Sequence, residues 1–445
     1  MRWPISHKEM RSFIPALIAL ATVLACSKTE TDCLSFLSDD IFKDWCLEHF
    51  DSDSNGILSE SEALAITDID CSFHEISSLS GIEHFVNLKN LFCYGNPISE
   101  LDLSGNKKLE CLYCQNCAIE RVNLSGLSTL RMMNIGGNKL ADIDLKDLVN
   151  LRLLHISDNS LTSLDVSKSQ QIAEIECMNN RFSELDFSMC KGLVYLRCRN
   201  NPLLKSLDVH GCDKMQELSC NVCAIKTLDL EGCTALVSLF CNENAIRSLD
   251  ISGMTNLNTL WAYSNRLETL NAAGCSSMQH CHAYLNKLTS INLQGCNSIE
   301  YMNISDNLLT TLDLSSCANS LIELYCQNNK LKSLNIGNNK NLVTVYAFNN
   351  VITGKLILNF DPKLTTCHIY NNPYLTGIIV NGADHLTQMN ANNCSLSEVS
   401  LKYASKNMQL FWCENNPDLT TITLLTGQQI QDFKTDPGVQ IEYSN

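Results

Sequence analysis

Apolar positions along this chain recur with one period almost from end to end. Residues Leu236 to Thr255 read LVSLFCNENAIRSLDISGMT, and the pattern restarts at Asn256-Leu257. As a template this is L-x-x-L-x-C-x-x-N-x-L-x-x-L-D-L-S-G-C-x-x. The leading apolar residue returns at Leu88, Leu109, Leu130, Leu151, Ile172, Leu193, Met215, Leu236, Leu257, Met278, Ile299, Leu321, Leu342, Leu364, Leu386 and Met408, each step being 21 or 22 residues. A degenerate copy precedes them from Ile66 to Cys71, and a truncated one follows from Ile430. A unit this short cannot bury its own apolar face, so the copies must stack on one another. The pattern predicts a solenoid.

Within each copy the x-L-x-C-x segment is the predicted strand. Alternation turns Leu and Cys inward and leaves template positions three, five and seven outward. Stacked strands give one long parallel sheet on the concave face, about 80 Å along for about seventeen coils at ~4.8 Å each. The ninth position is Asn in most copies and Cys at 117, 223 and 394. A buried Asn at a turn satisfies backbone groups of its own coil and the next. The remaining dozen residues are too few for a long helix and hold a second alternating block, S-L-D-L-S. Short extended or 3₁₀ pieces are therefore expected on the convex side. The acidic residue of that block recurs at Asp102, Asp144, Asp165, Asp186, Asp208, Asp229, Asp250 and Asp313. Bonding to turn amides and water is its expected role. From Leu342 onward the blocks KLILNF, GIIVNG and VSLKYA lose it and become more apolar.

L-x-x-L-x-[LC]-x-x-N-x-L is the signature of leucine-rich repeats. With its short period and its Cys in place of an inward Leu, the chain resembles bacterial extracellular repeat proteins of the internalin J, cysteine-ladder type. The resemblance covers residues 66–429. It implies a curved leucine-rich repeat solenoid and a biological use in adhesion or host-surface interaction, while leaving the ligand open.

Twenty-four cysteines would ordinarily suggest disulfides or zinc. Their spacing points elsewhere, because Cys71, Cys93, Cys114, Cys177, Cys198, Cys220, Cys241, Cys326 and Cys413 share one template position. Cys190, Cys212, Cys233, Cys275, Cys296 and Cys317 share another, that of S-G-C. Residues one coil apart stack, so these are expected to form ladders of small buried thiols. Cys33 and Cys46 could pair.

Two features precede the repeats. Residues 11–26, RSFIPALIALATVLAC, join a basic residue to a short apolar run and a small residue before Cys, which is the make-up of a secretory signal. Val23-Leu24-Ala25-Cys26 is similar to a lipobox, so lipidation at Cys26 and export to the cell envelope, outer membrane or cell surface, are expected; either Met1 or Met10 could be the start. Residues 27–36 then read as a tether. Next, Asp51-Ser-Asp53-Ser-Asn55-Gly56-Ile57-Leu58-Ser59-Glu60-Ser61-Glu62 matches a twelve-residue EF-hand loop. Asp51, Asp53, Asn55, the Ile57 carbonyl, Ser59 and Glu62 would supply oxygens to one structural calcium ion. The EF-hand-like segment 37–65 is expected to cap the first coil, and residues 430–445 to cap the last.

The outward strand positions are where a ligand would meet the solenoid. From the middle of the chain on, aromatics collect there: Phe240, Trp261, Tyr263, Tyr284, Tyr301, Tyr325, Tyr346, Phe348, Tyr370 and Trp412, with His282 and His368 among them. A contiguous band of rings with polar tips is a common make-up for recognition of protein or glycan. Aromatics in neighbouring strands also stabilise a sheet without any ligand. The formal charge of −16 argues against nucleic acid and anionic membrane as partners, leaving the N-terminal lipid as the membrane contact. His280 and His282 lie on one strand, but no carboxylate pair, nucleophile elbow or zinc-helix motif accompanies them, so the sequence reads as a binding protein and not an enzyme. A scaffolding role in the envelope, or carbohydrate capture for uptake, are the alternative readings.

Overall fold

The structure, a computed structural model, describes residues 31–359 and 361–444. Cys26 and the rest of the expected signal, residues 1–26, lie outside the described residues, as do 27–30 of the expected tether.

The repeat pattern becomes three-residue strands with one buried centre. In Ser238–Phe240, Leu239 is fully buried between two half-exposed neighbours. It pairs in register with Leu260 of the next coil, which pairs with Cys281 of the one after. Eighteen strands, all of three residues except the seven-residue Asn407–Cys413 and Gln429–Thr435, form one parallel sheet that starts at Asp68–Asp70. The second block of the repeat forms a second, interrupted set of parallel strands, such as Ser248–Asp250, Thr269–Asn271 and Ser290–Asn292. From Thr353 on the strands of this block join, and all but Glu398–Ser400 are longer than three residues. Thr353–Leu358, Tyr374–Val380, Glu398–Ser400, Thr421–Leu425 and Gln440–Ser444 make a five-stranded sheet. Lys355 crosses Gly377 on that sheet to pair with Glu398, passing where a Cβ on Gly377 would lie 3.1 Å from its Cγ. Residues 429–444, expected as a cap, continue both sheets as one more coil.

Side chains at fixed template positions hold adjacent coils together. Asn244 Nδ2 donates to the carbonyls of Cys220 (2.9 Å) and Cys241 (3.1 Å), and its Oδ1 accepts from Ile225 N (3.0 Å). Both strands of the junction are thereby satisfied by one amide. The residue before each such Asn adopts a left-handed turn conformation, with φ of 53–59° at Asn179, Asn328 and Asn415 among others. Asn tolerates this conformation and β-branched residues do not, yet Val222 adopts it too, at φ 58°. From Asp306 onward these turn residues bond to one another across coils: Asn328 to Asp306 (2.8 Å), Asn349 to Asn328 (2.6 Å), Asn371 to Asn349 (2.6 Å), Asn393 to Asn371 (2.7 Å) and Asn415 to Asn393 (2.8 Å).

The ladder cysteines stand as free thiols, and no cysteine among the described residues is in a disulfide, Cys33 and Cys46 included. The S-G-C ladder has a physical reason for its sulfur. Cys275 and Cys296 each donate to a carbonyl of the preceding coil, Ile251 O and Ala272 O, at 3.0 Å. Ser169 and Asn106 do the same job at other rungs, reaching Leu148 O at 2.8 Å and Ile82 O at 2.9 Å. Other rungs at this position are apolar, Leu127, Leu148, Met254, Ala383 and Ala404 among them, so a donor is one way to fill it. Asp102, Asp165 and Asp250 on the convex side accept from the amide two residues on, as expected of turn-bonded carboxylates.

Two helices close the N-terminal end, α1 (Asp40–Phe50) and α2 (Glu60–Ala65). Asp39 caps α1 by accepting from Phe42 N at 3.0 Å, and its other oxygen accepts from Ser77 N (2.8 Å) and Ser77 Oγ in the first coil. Burial works against its charge, but these bonds outweigh it and hold the carboxyl below its ordinary range. Residues 33–36, which the pattern had assigned to the tether, form a 3₁₀ turn in which Cys33 and Leu34 are buried. Cys33 N donates to Leu58 O at 2.8 Å. Gly81, at φ 99°, lets this turn pack on the first coil, since a Cβ there would collide with the Phe36 carbonyl.

Candidate ligand-binding face

The outward row of the large sheet splits into regions of different chemistry. Phe240, Trp261 and His282 lie side by side on adjacent strands, with ring centroids 5.0 and 6.3 Å apart. Beside them Tyr263 stacks on Tyr284 at 4.6 Å and 6°, and His280 on Tyr301 at 5.1 Å and 7°. A second group joins Tyr325, Tyr346 and His368, with Phe348 stacked on Tyr370 at 4.4 Å and 7°. The band is not continuous: Asn303 stands in register between His282 and Tyr325. Trp412 is apart from both groups, with Asn390 beside it in register and Lys434 Nζ 3.9 Å over its ring. The parallel strand spacing brings rings on neighbouring coils to stacking distance, so the faces of the stacked pairs are turned to each other and their edges outward.

Burial keeps the phenols of Tyr263, Tyr284 and Tyr370 protonated to higher pH than usual, with Glu243 adding to the effect at the first two. Burial, and then the neighbouring His280, lower the pKa of His282; burial alone lowers that of His368. Both rings are packed side by side with aromatics. The His280 and His282 centroids are 6.4 Å apart, and neither belongs to a cluster of metal-ligating groups among the described residues.

Ahead of the rings lies an ionic ladder that a single-repeat reading breaks into unrelated polar residues. His155, Glu176 and Arg197 are in register on successive strands, flanked by Glu174, Tyr195 and Glu217. Arg197 bonds Glu176 at 2.8 Å, Glu174 at 3.2 Å and Glu217 at 2.7 Å. Glu217 foremost holds its guanidinium protonated. His155 lies 3.5 Å from Glu174 and 3.8 Å from Glu176. Aligning the copies and reading positions three and five down the column reveals the set. Where this ladder meets the first ring group there is a cleft of about 480 Å³, lined among others by Glu176, Arg197, Glu217, Phe240, Asn242, Glu243 and Trp261.

The residues predicted to hold calcium are brought together at the other end of the chain. Asp51 and Asp53 in the loop between α1 and α2, and Glu62 in the first turn of α2, place carboxylate oxygens within 4.8 Å of one another. Asp51 accepts from Gly56 N at 2.8 Å, Asn55 Oδ1 from Ile57 N at 2.8 Å, and Glu62 from Ser52 N at 2.7 Å and Ser59 N at 3.0 Å. The bonds from Ser52, then Ser59, draw the Glu62 carboxyl down to about 2. Gly56 turns at φ 81° and Leu58 points into the core with no exposure. Converging hard oxygens on a turn of this shape fit a calcium ion.

Residues 64–159 match the family model described as the endo-beta-N-acetylglucosaminidase EndoS LRR domain. No curated protein matches the chain. Among solved structures it is similar to the functional domain of InlJ from Listeria monocytogenes, which includes a cysteine ladder. The identity is 23% and the TM-score 0.53, over 89% of this chain and 76% of that one. It is also similar to a leucine-rich repeat protein of Leptospira interrogans, at 16% identity and TM-score 0.50, over 85% and 93%. The chain folds as a leucine-rich repeat solenoid. Its variety is the one with a cysteine ladder. No helix among the described residues is long and apolar enough to cross a membrane.

Proposed function

We propose that this chain is an exported, lipid-anchored envelope protein that binds a protein through the concave face, in adhesion or host-surface interaction. The observation that carries the choice of protein over glycan is the orientation of the rings. Tyr263 with Tyr284, and Phe348 with Tyr370, use their faces on each other and offer edges and hydroxyl tips, which suit peptide groups better than sugar rings. A glycan is the second reading, favoured by Trp261, which is 40% exposed beside the stacks. Lipidation at Cys26 and a calcium ion held by Asp51, Asp53, Asn55, the Ile57 carbonyl, Ser59 and Glu62 complete the proposal. The ion would neutralise three gathered carboxylates and so fasten the cap on which the first coil rests.

The test is an array of extracellular proteins and glycans probed with the chain from Ser27 and with its Trp261→Ala/Tyr263→Ala/Tyr346→Ala variant. A protein captured by the first and lost by the second is the expected result. Capture of glycans alone would move the assignment to the second reading. Capture retained by the variant would remove the concave face from the proposal, and silence from both folded proteins would favour a scaffolding role.

A further inference from the structure

The cleft between the ionic ladder and the first ring group is acidic and aromatic at once. Its lining includes the carboxylates of Glu176, Glu217 and Glu243 and the rings of Phe240, Trp261 and Tyr263. Two arginines share it, but Arg197 is already held by Glu174, Glu176 and Glu217, and Arg199 rests its Nε on the Met178 sulfur at 3.0 Å. Three lining carboxylates against these two guanidinium groups leave one negative charge in surplus. Asn242, 2% exposed in the same wall, gives its Nδ2 to Glu243 at 3.2 Å and keeps an Oδ1 with no hydrogen-bond partner. The cleft has acceptors to spare.

We propose that this cleft is the anchor site for a basic side chain, lysine or arginine, of the protein partner. The proposal rests on the protein-ligand reading above and names the chemistry of its contact. The aliphatic stem lies along Phe240 and Trp261, and the cationic head meets Glu243 and the indole face. An exposed Trp is the strongest aromatic partner for a cation, and partial desolvation in a cleft strengthens the contact. The formal charge of −16 steers a basic partner toward the solenoid and repels an acidic one. Neither the ring columns nor the ionic ladder alone offers this combination, so the site sits at their junction.

The test uses the full chain labelled with 5-fluorotryptophan, read by fluorine NMR, with the Trp261 resonance assigned through Trp261→Phe. The probes are blocked pentapeptides with Gly at every position except a central Lys, Arg, Leu or Glu. The Lys and Arg peptides are expected to move the Trp261 resonance saturably, and the Leu and Glu peptides to leave it in place. Glu243→Gln, at an exposed turn position, should keep the fold and weaken the Lys peptide by about fivefold. A still resonance with both basic peptides overturns the proposal, as does an equal response to Leu or Glu or an unchanged affinity in Glu243→Gln. Peptide binding supports the cleft whatever the array returns, and array failure bears on the ligand-face reading alone. A captured protein that binds Glu243→Gln unchanged overturns the anchor and leaves that reading in place.

Discussion

Asp361 occupies the ladder position at which some coils carry an apolar residue and others a donor such as Cys275, Ser169 or Asn106, and it cannot do the donors' work while ionised. It is 0% exposed, both carboxylate oxygens lack partners, and burial pushes its carboxyl up to about 7. Those ladder mates donate to a carbonyl of the preceding coil; a carboxylate has no proton to give. Folding raises this pKa from the ordinary 3.8, so the folded chain holds the proton more tightly. The resulting stabilisation is complete below about pH 4 and is lost as pH rises toward 7, at up to about 1.4 kcal/mol per pH unit. Asp361→Asn supplies a neutral donor, as Asn106 does. Melting temperatures at pH 5 and pH 8 should fall less between the two values in the variant than in the parent; equal falls would refute the argument. Residues of this kind were only partly legible. The ninth-position Asn and its role follow from its recurrence. The left-handed residue before it does not, because Asn, Asp, Ser, Leu and Val all occur there and a one-dimensional pattern carries no φ.

Individual elements matched expectation where local chemistry determines them and diverged where packing does. The carboxylates of Asp51, Asp53 and Glu62, expected from their spacing to converge, do come together. If calcium binds there, it stabilises the folded cap and not the unfolded chain. Calcium in place of chelator should raise the melting temperature, and Asp51→Ala/Glu62→Ala should lower it and abolish the response. A calcium response that survives the double substitution would sink the assignment. Residues 33–36 were assigned to a tether because a polar run precedes them, and what the sequence does not show is the corner that Gly81 opens for them. The ladder elements make a chemical prediction. Burial pushes the thiols of Cys241, Cys275 and Cys326 up to about 12, which leaves little of the reactive thiolate at neutral pH. Iodoacetamide should label few cysteines in the native chain and most of them after unreduced denaturation. Rapid native labelling, or thiols missing after denaturation, would contradict the ladders.

At the scale of the whole molecule, the period settles the architecture, because only stacking can bury so short a unit. That the large sheet runs on to residue 435 and the second to residue 444, and that the second becomes continuous beyond residue 353, was less legible. The loss of Asp there reads as a contact surface or as drift, and in the structure most of the strands in that stretch are longer. The candidate face was legible as a list of outward aromatics. Its division at Asn303 and the ionic ladder around Arg197 depend on register between coils, which only an alignment of the copies exposes.

The chain of turn amides from Asp306 to Asn415 has a direction. Every Nδ2 in it points to the preceding coil and every Oδ1 to the following one, so the amide dipoles add along the axis instead of cancelling. The edge of the sheet thus carries a macrodipole built from side chains, by the same summation that gives a helix its own. Its positive pole ends on the Asp306 carboxylate, the one charge in the series and the right sign for that pole. Hydrogen bonds aligned in series also polarise one another, so removing the charge at one end weakens bonds several coils away. The solenoid is electrically polar along its length as well as across its faces.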